Sequence, residues 1–495
     1  MQREWYGQNI PGPARLIDVR AFEYGRQVGH QDVRLVDIED KCPQYITLSH
    51  CWGGTLRQDH TTMASTLRSR QSRILYDELP HSFRDAVEIT RQLRVRYLWI
   101  DALCIVQDDR DDWAKESAKM GAIFSNSFLT IAAGASEDCN GGCFNQASTT
   151  QDLDNEDDIL IFRTPLADGQ ETCIFLWDLM GCGIRNGPSP LEVSSLADRG
   201  WVCQERILSA RTLHYMSTQL FWECRQMYAS EDQFRPWSEW ALTKSSIPIT
   251  IKGKFFYVEE SILFIWYKEL VEKDYSRRRF TVFDDRLVAI AGVARLFRRT
   301  LQCSYLAGLW WKSLAWGLNW RAERAAASPY FFRGPSWTWA SHDIGVSWHT
   351  SPSNFRASPK FSASVAKMQL TGKGSDPFGQ VDEGWLKISG VFNTAIVASE
   401  PKVCDSRPNP ILRGFQGEHL GDVFLDYELC VRTVECLVLG RSVRPYNNEL
   451  WFLLLLEPDS ENASQYKRIG VAEITSGPSY QGWLRHACEK TVLIA

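Results

Sequence analysis

The first third of the chain switches repeatedly between a strand period and a helix period. Tyr45-Ile-Thr-Leu48 is a short β-prone run that breaks at Ser49-His-Cys-Trp-Gly-Gly54, where paired glycines mark a tight turn or a close backbone approach. Pro80 precedes a predicted helix. Ser82 and Asp85 form a capping-box-like start there, and Phe83, Ala86, Val87, Thr90 and Leu93 share one face. Tyr97 to Ile105 is nearly all apolar, with Asp101 inside it, and predicts a strand covered on both sides. Asp111 can cap the next helix, along which Trp113, Ser117, Met120 and Phe124 recur at helical spacing. Phe128 to Ala133 predicts another strand. This alternation is the pattern of an α/β, Rossmann-like parallel sheet built from right-handed crossovers.

The pattern then loosens. Residues 139–195 are irregular, and the acidic stretch Thr149 to Asp158 predicts an exposed loop. Arg199-Gly-Trp-Val-Cys-Gln-Glu205 opens a helical segment, followed by short strands at Leu213–Tyr215 and Gln219–Glu223. From Pro236 to Leu318 the apolar spacing is helical. After Pro335, strands are predicted at Trp385–Gly390, Glu428–Val434, Leu450–Leu456 and Arg468–Ile474, separated by turn residues, which makes a mostly antiparallel β region. The expected organisation is an extension over 1–40, an α/β domain over 41–225, a helical region over 226–330 and a β-rich region over 331–495. There is no internal repeat.

Composition narrows the function classes. Of 495 residues, 44% are hydrophobic and 23% charged, enough apolar surface to offset chain ordering, so wholesale disorder is excluded. With 55 basic and 60 acidic residues the net charge is -5, which favours neither nucleic acid nor an anionic membrane as partner. Arg277-Arg278-Arg279 reads as a solvated turn. Met1 to Pro13 is polar and has no apolar core, so no secretory signal is expected. No apolar run reaches the roughly 18–20 residues a membrane span needs, and the longest, Leu450 to Leu456, is strand-sized. A cytoplasmic protein is expected, whose 14 cysteines are buried thiols. Cys139-Asn-Gly-Gly-Cys143 has no His at finger spacing, so no metal site is expected. The sequon Asn462-Ala-Ser464 means little without secretion.

Three blocks carry a family resemblance. They are Tyr45-Ile-Thr-Leu-Ser-His-Cys-Trp-Gly53, then Leu98-Trp-Ile-Asp-Ala-Leu-Cys-Ile-Val-Gln-Asp108 with Asp112-Trp, Glu116 and Met120 to Phe124 beyond it, and Arg199-Gly-Trp-Val-Cys-Gln-Glu-Arg-Ile-Leu-Ser209. In this order and spacing they resemble the HET (heterokaryon incompatibility) domain of filamentous fungi. Tyr305-Leu-Ala-Gly-Leu-Trp310 and Pro335-Ser-Trp-Thr-Trp-Ala-Ser341 resemble the C-terminal extension common in that family. Cys51, Val106 and Thr338 depart mildly from its usual residues. The resemblance implies a role in non-self recognition after hyphal fusion, an innate-immunity-like process with growth arrest or programmed cell death as output. The partners it implies are other incompatibility or signalling proteins, or further copies of the chain.

The third block also resembles part of a TIR domain, which implies a TIR-like sheet. In TIR enzymes a helix carries Trp and Cys shortly before a catalytic Glu, and the reaction cleaves the nicotinamide–ribose bond of NAD. Here Trp201 stands four residues before Glu205, and Cys203 two before it where that pattern has three. One helical turn puts Trp201 and Glu205 on one face. A carboxylate there can stabilise an oxocarbenium-like state or bind ribose hydroxyls. Glu205 and Asp101 are therefore the catalytic candidates. Ser49, His50, Trp52, Gly53, Gln107, Arg199, Trp201 and Gln204 are the ligand-binding candidates, because open α/β sheets hold ligands outside the carboxyl ends of their strands. No cofactor is implied, and NAD enters only as a substrate. The competing readings are structural. Glu205 can be an acid paired with Arg199 or Arg206, and Asp101 an acceptor for backbone or Arg groups. His50 and Cys51, adjacent on extended chain, point to opposite faces and make a poor nucleophile–base dyad. Trp99, Trp113 and Met120 read as core, and Trp337 and Trp339 as packing between the β region and the rest. A non-catalytic interaction or decoy role is the third reading of the whole chain.

Overall fold

A computed structural model gives the protein's structure. It describes residues 12–22, 31–39, 42–53, 60–144, 194–217, 219–225, 227–231, 259–326, 334–370, 376–400, 409–428, 432–443, 449–459 and 465–495, with the backbone of 159–165 and 171–177. The expected loop at Thr149–Asp158 and the sequon at Asn462 lie outside the described residues. The chain forms two compact units, 1–245 and 246–495.

The first unit is built on an eight-stranded mixed sheet. Its elements in chain order are β1 (Arg15–Asp18), β2 (Arg34–Asp37), β3 (Tyr45–Ser49), α1 (Leu67–Ser72), α2 (His81–Gln92), β4 (Tyr97–Trp99), α3 (Asp101–Cys104), α4 (Arg110–Asn126), β5 (Leu129–Ala132), β6 (Ile159–Pro165), β7 (Glu171–Trp177), α5 (Gly200–Leu208), β8 (Arg211–Tyr215), β9 (Leu220–Cys224) and β10 (Tyr228–Ser230). The strand order is β10-β9-β8-β5-β3-β4-β1-β2, and β6 and β7 make a separate hairpin. The four central strands β4, β3, β5 and β8 are parallel, as the alternating pattern predicts. Antiparallel strands extend both edges. The core joins the sheet to α2 and α4 through Phe83, Val87, Trp99, Met120 and Phe124, while Trp113 packs partly buried at its margin.

Several local expectations change. The apolar run from Tyr97 is not one strand, because β4 stops at Trp99 and Asp101 begins α3. Its carboxylate accepts the Ala102 N–H at 2.7 Å, and a helix start gives that acid a backbone donor that strand pairing would not. Asp109, not Asp111, caps α4, accepting from the N–H groups of Asp111 and Asp112. Ser82 and Asp85 do not cap α2. They accept N–H bonds from Gly142, Cys143 and Phe144 and so hold the turn after β5. Leu93, expected on the buried face, is 43% exposed because α2 ends at Gln92. The segment expected as an N-terminal extension supplies β1 and β2 to the sheet edge. Arg15 of β1 bonds Asp112 and donates from Nε to the Cys104 carbonyl at 2.8 Å, which ties that edge to the ends of α3 and α4.

The second unit is largely antiparallel β with few helices. Within its nine-stranded sheet, six strands close into a ring: Val381–Glu400, Arg432–Val443, Glu449–Pro458, Gln465–Thr475, His419–Leu425 and Asn409–Arg413. Ala395, Leu412, Val438, Leu453 and Ile469 fill it. The region expected to be helical starts, within the described residues, at Glu259–Phe264 and continues as a π-helix over Ile265–Glu272, with a further helix at Ala291–Leu301. It also holds a hairpin, Tyr305–Leu306 with Leu309–Trp310. The turn residues Ala307 and Gly308 both have positive φ, which a two-residue hairpin turn requires. Trp337 donates to the Gly384 carbonyl and Trp339 to that of Gly308, each fully buried. Of the run Arg277 to Arg279, Arg277 and Arg279 are exposed as a solvated turn predicts, but Arg278 is not. Arg278 is 7% exposed and pairs with Asp274, so its charge is neutralised one helical turn away.

Candidate functional site

The parallel strands succeed one another in the order β3, β4, β5, β8 along the chain but lie as β4-β3-β5-β8 in the sheet. The direction of progression reverses between β3 and β5. At such a reversal the chain leaves neighbouring strands toward opposite faces and opens a crevice outside their carboxyl ends. The segment Ser49 to Gly53 leaves β3 at that point, and Asp101 follows β4.

These residues contact one another. The Trp52 indole N–H donates to Asp101 Oδ2 at 2.9 Å, and His50 Nδ1 lies 3.8 Å from Asp101 Oδ1. Gly53, with φ of 63°, turns the chain after Trp52 in the left-handed region that favours glycine. His50 packs edge-on against Phe83 of α2, with ring centroids 5.0 Å apart. Burial lowers its pKa to about 4, against the opposing pull of Asp101, and the Arg199 charge lowers it further. His50 is therefore a neutral imidazole at physiological pH. Its Nε2 and the Ser49 hydroxyl are buried with no hydrogen-bond partner. Cys51 turns to the other side, against Ala132, Leu196 and Val202, and its thiol donates to the Ser195 carbonyl at 3.3 Å. Burial raises the Cys51 pKa above its ordinary value and outweighs the lowering by Arg199, so the group is a thiol and not a ready nucleophile.

The α5 side closes the cluster. Arg199 precedes the helix, hydrogen-bonds Cys51 and is near enough for its charge to act on His50. Glu205 is 7% exposed on α5, and its charge also reaches Cys51. Gln204 is buried, and Trp201 is half-buried against the main core. Ser49, His50, Trp52, Gly53 and Asp101 thus gather at the end of β3, with Arg199 near both His50 and Cys51 and Glu205 on the Cys51 side. Gln107 stands apart in role, because its amide N–H groups are committed to the carbonyls of Asp101 and Ile105 and fix the α3 turn.

Sequence reasoning did not find the support beneath this cluster. Glu223 of β9 is fully buried between Arg206 and His214. Arg206 of α5 donates to it at 3.0 and 3.3 Å, and His214 of β8 lies 3.0 Å away. The Tyr228 hydroxyl accepts from Arg206 at 2.7 Å. Burial works to lower the Arg206 pKa, but Glu223 and Tyr228 together outweigh it and hold the guanidinium above its ordinary value. The residue next to Glu205 is thereby tied to the sheet. The one available signal was a charged residue inside the apolar run Leu220–Cys224.

His50 gives a test of the geometry. Its folded pKa lies below the unfolded value of about 6.5, so between these values only the unfolded chain takes up the proton. Stability is expected to fall as pH drops from about 6.5 toward about 4, by roughly 3 kcal/mol. Urea unfolding across this range, comparing the wild type with His50→Gln, measures it. Identical pH slopes in the two proteins would contradict the burial of a neutral His50.

The first unit is thus an α/β unit whose polar side chains gather at a reversal of strand order. Residues 45–205 match the family model described as heterokaryon incompatibility protein (HET), so the chain carries a HET domain running from the first residue of β3 to Glu205 of α5. No curated protein and no solved structure matches the chain. Among the described residues there is no helix long and apolar enough to cross a membrane and no group of His, Cys, Asp and Glu that could hold a metal ion.

Proposed function

We propose that this protein is a heterokaryon-incompatibility-type signalling protein of the cytoplasm. Contact with a non-self partner leads through the HET domain, with self-association of the chain, to growth arrest or programmed cell death. The family match over residues 45–205 carries this reading.

A second reading concerns how the HET domain acts, and the cluster at the end of β3 favours it. It is a TIR-like cleavage of NAD. Water adds to the ribose carbon, the bond to the nicotinamide nitrogen breaks, and nicotinamide, ADP-ribose and a proton leave. Glu205 supplies the carboxylate that stabilises the positive charge developing on the ribose. Trp52, held by Asp101, offers an aromatic face for the nicotinamide ring, and Arg199 a positive charge for the pyrophosphate. The observation supporting it is that the charges of Arg199 and Glu205 both reach Cys51, whose neighbour Trp52 is bonded to Asp101.

The test is nicotinamide release from NAD by the purified full chain, concentrated enough to self-associate. Glu205→Ala is expected to lower the rate at least about 100-fold with an unchanged melting temperature. Absence of turnover in every assembled state, with Glu205→Ala still triggering death in cells, would sink the enzymatic reading and leave the HET domain as a non-catalytic contact module.

A further inference from the structure

The contact between α5 and the central sheet is not wholly apolar. Thr47 of β3, Thr130 of β5 and Ser209, the residue that ends α5, are each at most 1% exposed. Strands β3 and β5 are the pair between which the strand order reverses, and Thr47 stands opposite Thr130 in their register. The two threonine hydroxyls are 2.7 Å apart, and that of Thr130 is 2.6 Å from that of Ser209. The Ser209 hydroxyl in turn donates at 2.6 Å to the Glu205 carbonyl.

A proton count gives this chain of hydroxyls a direction. Each hydroxyl has one hydrogen to donate and two lone pairs with which to accept. The Ser209 hydrogen goes to Glu205, so Ser209 accepts from Thr130, and Thr130 accepts from Thr47. Ser127 lies 3.5 Å from Thr130, but its hydrogen goes to the Phe124 carbonyl at 2.8 Å, so it adds no link. All three bonds therefore run from the sheet toward Glu205. Bonds aligned in this way strengthen one another, and breaking one in a buried site leaves its groups desolvated and unpaired.

The chain ends where a helix needs a donor. The last four carbonyls of a helix have no partner within it. In α5, the Glu205 carbonyl takes both the amide and the hydroxyl of Ser209, and the Leu208 carbonyl takes the Ser125 hydroxyl of α4 at 3.3 Å. The backbone of Glu205 is thus tied to the two strands from whose ends the crevice opens.

We propose that Thr47, Thr130 and Ser209 are positioning residues whose hydroxyl chain sets Glu205 relative to the crevice, so that its carboxylate meets the ribose. The proposal rests on the NAD-cleavage reading of Glu205. The three residues are too buried to touch a ligand and act only through Glu205.

Nicotinamide release by the full chain, with kcat and KM measured separately, tests the proposal. Thr130→Val keeps the shape of the side chain and removes its hydroxyl. It is expected to lower kcat at least about tenfold with KM nearly unchanged. Thr130→Ser restores the hydroxyl on a smaller side chain and is expected to turn over as the wild type does. Ser209→Ala cuts the last link and is expected to match Thr130→Val. The double variant is expected to be no slower than either, because a chain cut once no longer connects. Hydrogen exchange at residues 200–208 is expected to quicken in Thr130→Val and Ser209→Ala but not in Thr130→Ser. If Thr130→Val does not fold, Ser209→Ala and Thr130→Ser decide. Wild-type turnover that persists unchanged in Thr130→Val or Ser209→Ala overturns the proposal and leaves the NAD reading standing. So does a rate that follows side-chain volume, with Thr130→Ser as slow as Thr130→Val, and so do losses that multiply in the double variant. Absence of turnover in the wild type is instead the failure of the NAD reading, and this proposal falls with it.

Discussion

Glu223→Gln is expected to destabilise the first unit by about 3–5 kcal/mol. The substitution keeps the shape of the side chain and removes only the charge. It removes the charge that the partly buried Arg206 guanidinium faces and changes the acceptor that His214 faces. A buried pair contributes little net stability, because desolvation offsets attraction, but breaking it from one side strands a charge. Adding Arg206→Met to Glu223→Gln removes the cation that faced Glu223 and is expected to recover part of the loss. Hydrogen exchange across residues 200–224 of the full chain locates the effect. A loss below about 1 kcal/mol would mean that Glu223 behaves as a surface acid and not as the anchor of α5. Because Arg206 follows Glu205 directly, the variant is also expected to loosen Glu205 without removing it.

Arg468→Met is expected to cost the second unit a similar amount, about 3–5 kcal/mol. The Arg468 and Asp426 side chains are both fully buried. Burial raises the Asp426 pKa and lowers that of Arg468, so desolvation outweighs the attraction on each side. Arg468 also donates at 2.5 Å to the carbonyls of Leu318 and Trp320, and its guanidinium carbon lies 3.4 Å from the Trp320 ring centroid. Methionine fills most of the volume but leaves the Asp426 carboxylate and two carbonyls without donors. Replacing both partners, Arg468→Met with Asp426→Leu, is expected to recover much of the stability, which denaturant unfolding of the single and double variants measures. Equal losses in the two would show that the cost is packing and not stranded charge.

The candidate site was partly legible in the sequence. Residues such as Trp52, Asp101 and Glu205 stood in blocks that fall at strand ends and on a helix, and the structure gathers most of them around β3. The role of Gln107 was not legible, because nothing in its spacing shows that its amide bonds the backbone of its own turn. The Ser82 and Asp85 pair misled for a related reason. Their spacing suits a helix cap, but the N–H groups they accept belong to Gly142, Cys143 and Phe144, nearly sixty residues away. The hydroxyl chain of Thr47, Thr130 and Ser209 left no pattern in the sequence at all, since its members come from three separate segments.

The sequence by itself determined the central parallel strands, the family of the segment 45–205 and the antiparallel character of the second unit. Those features follow from local periodicity and short-range turn chemistry, which act within a few residues. Only the tertiary structure decided that β1 and β2 complete the sheet edge, that the strand order reverses between β3 and β5, and that six strands close into a ring. It also decided which acids are paired. Pairing between distant strands and the burial of a charge depend on what the folded chain brings alongside, and a one-dimensional pattern does not encode that neighbour. The same holds for Glu223 and Asp426, which are fully buried ion-pair partners in the fold.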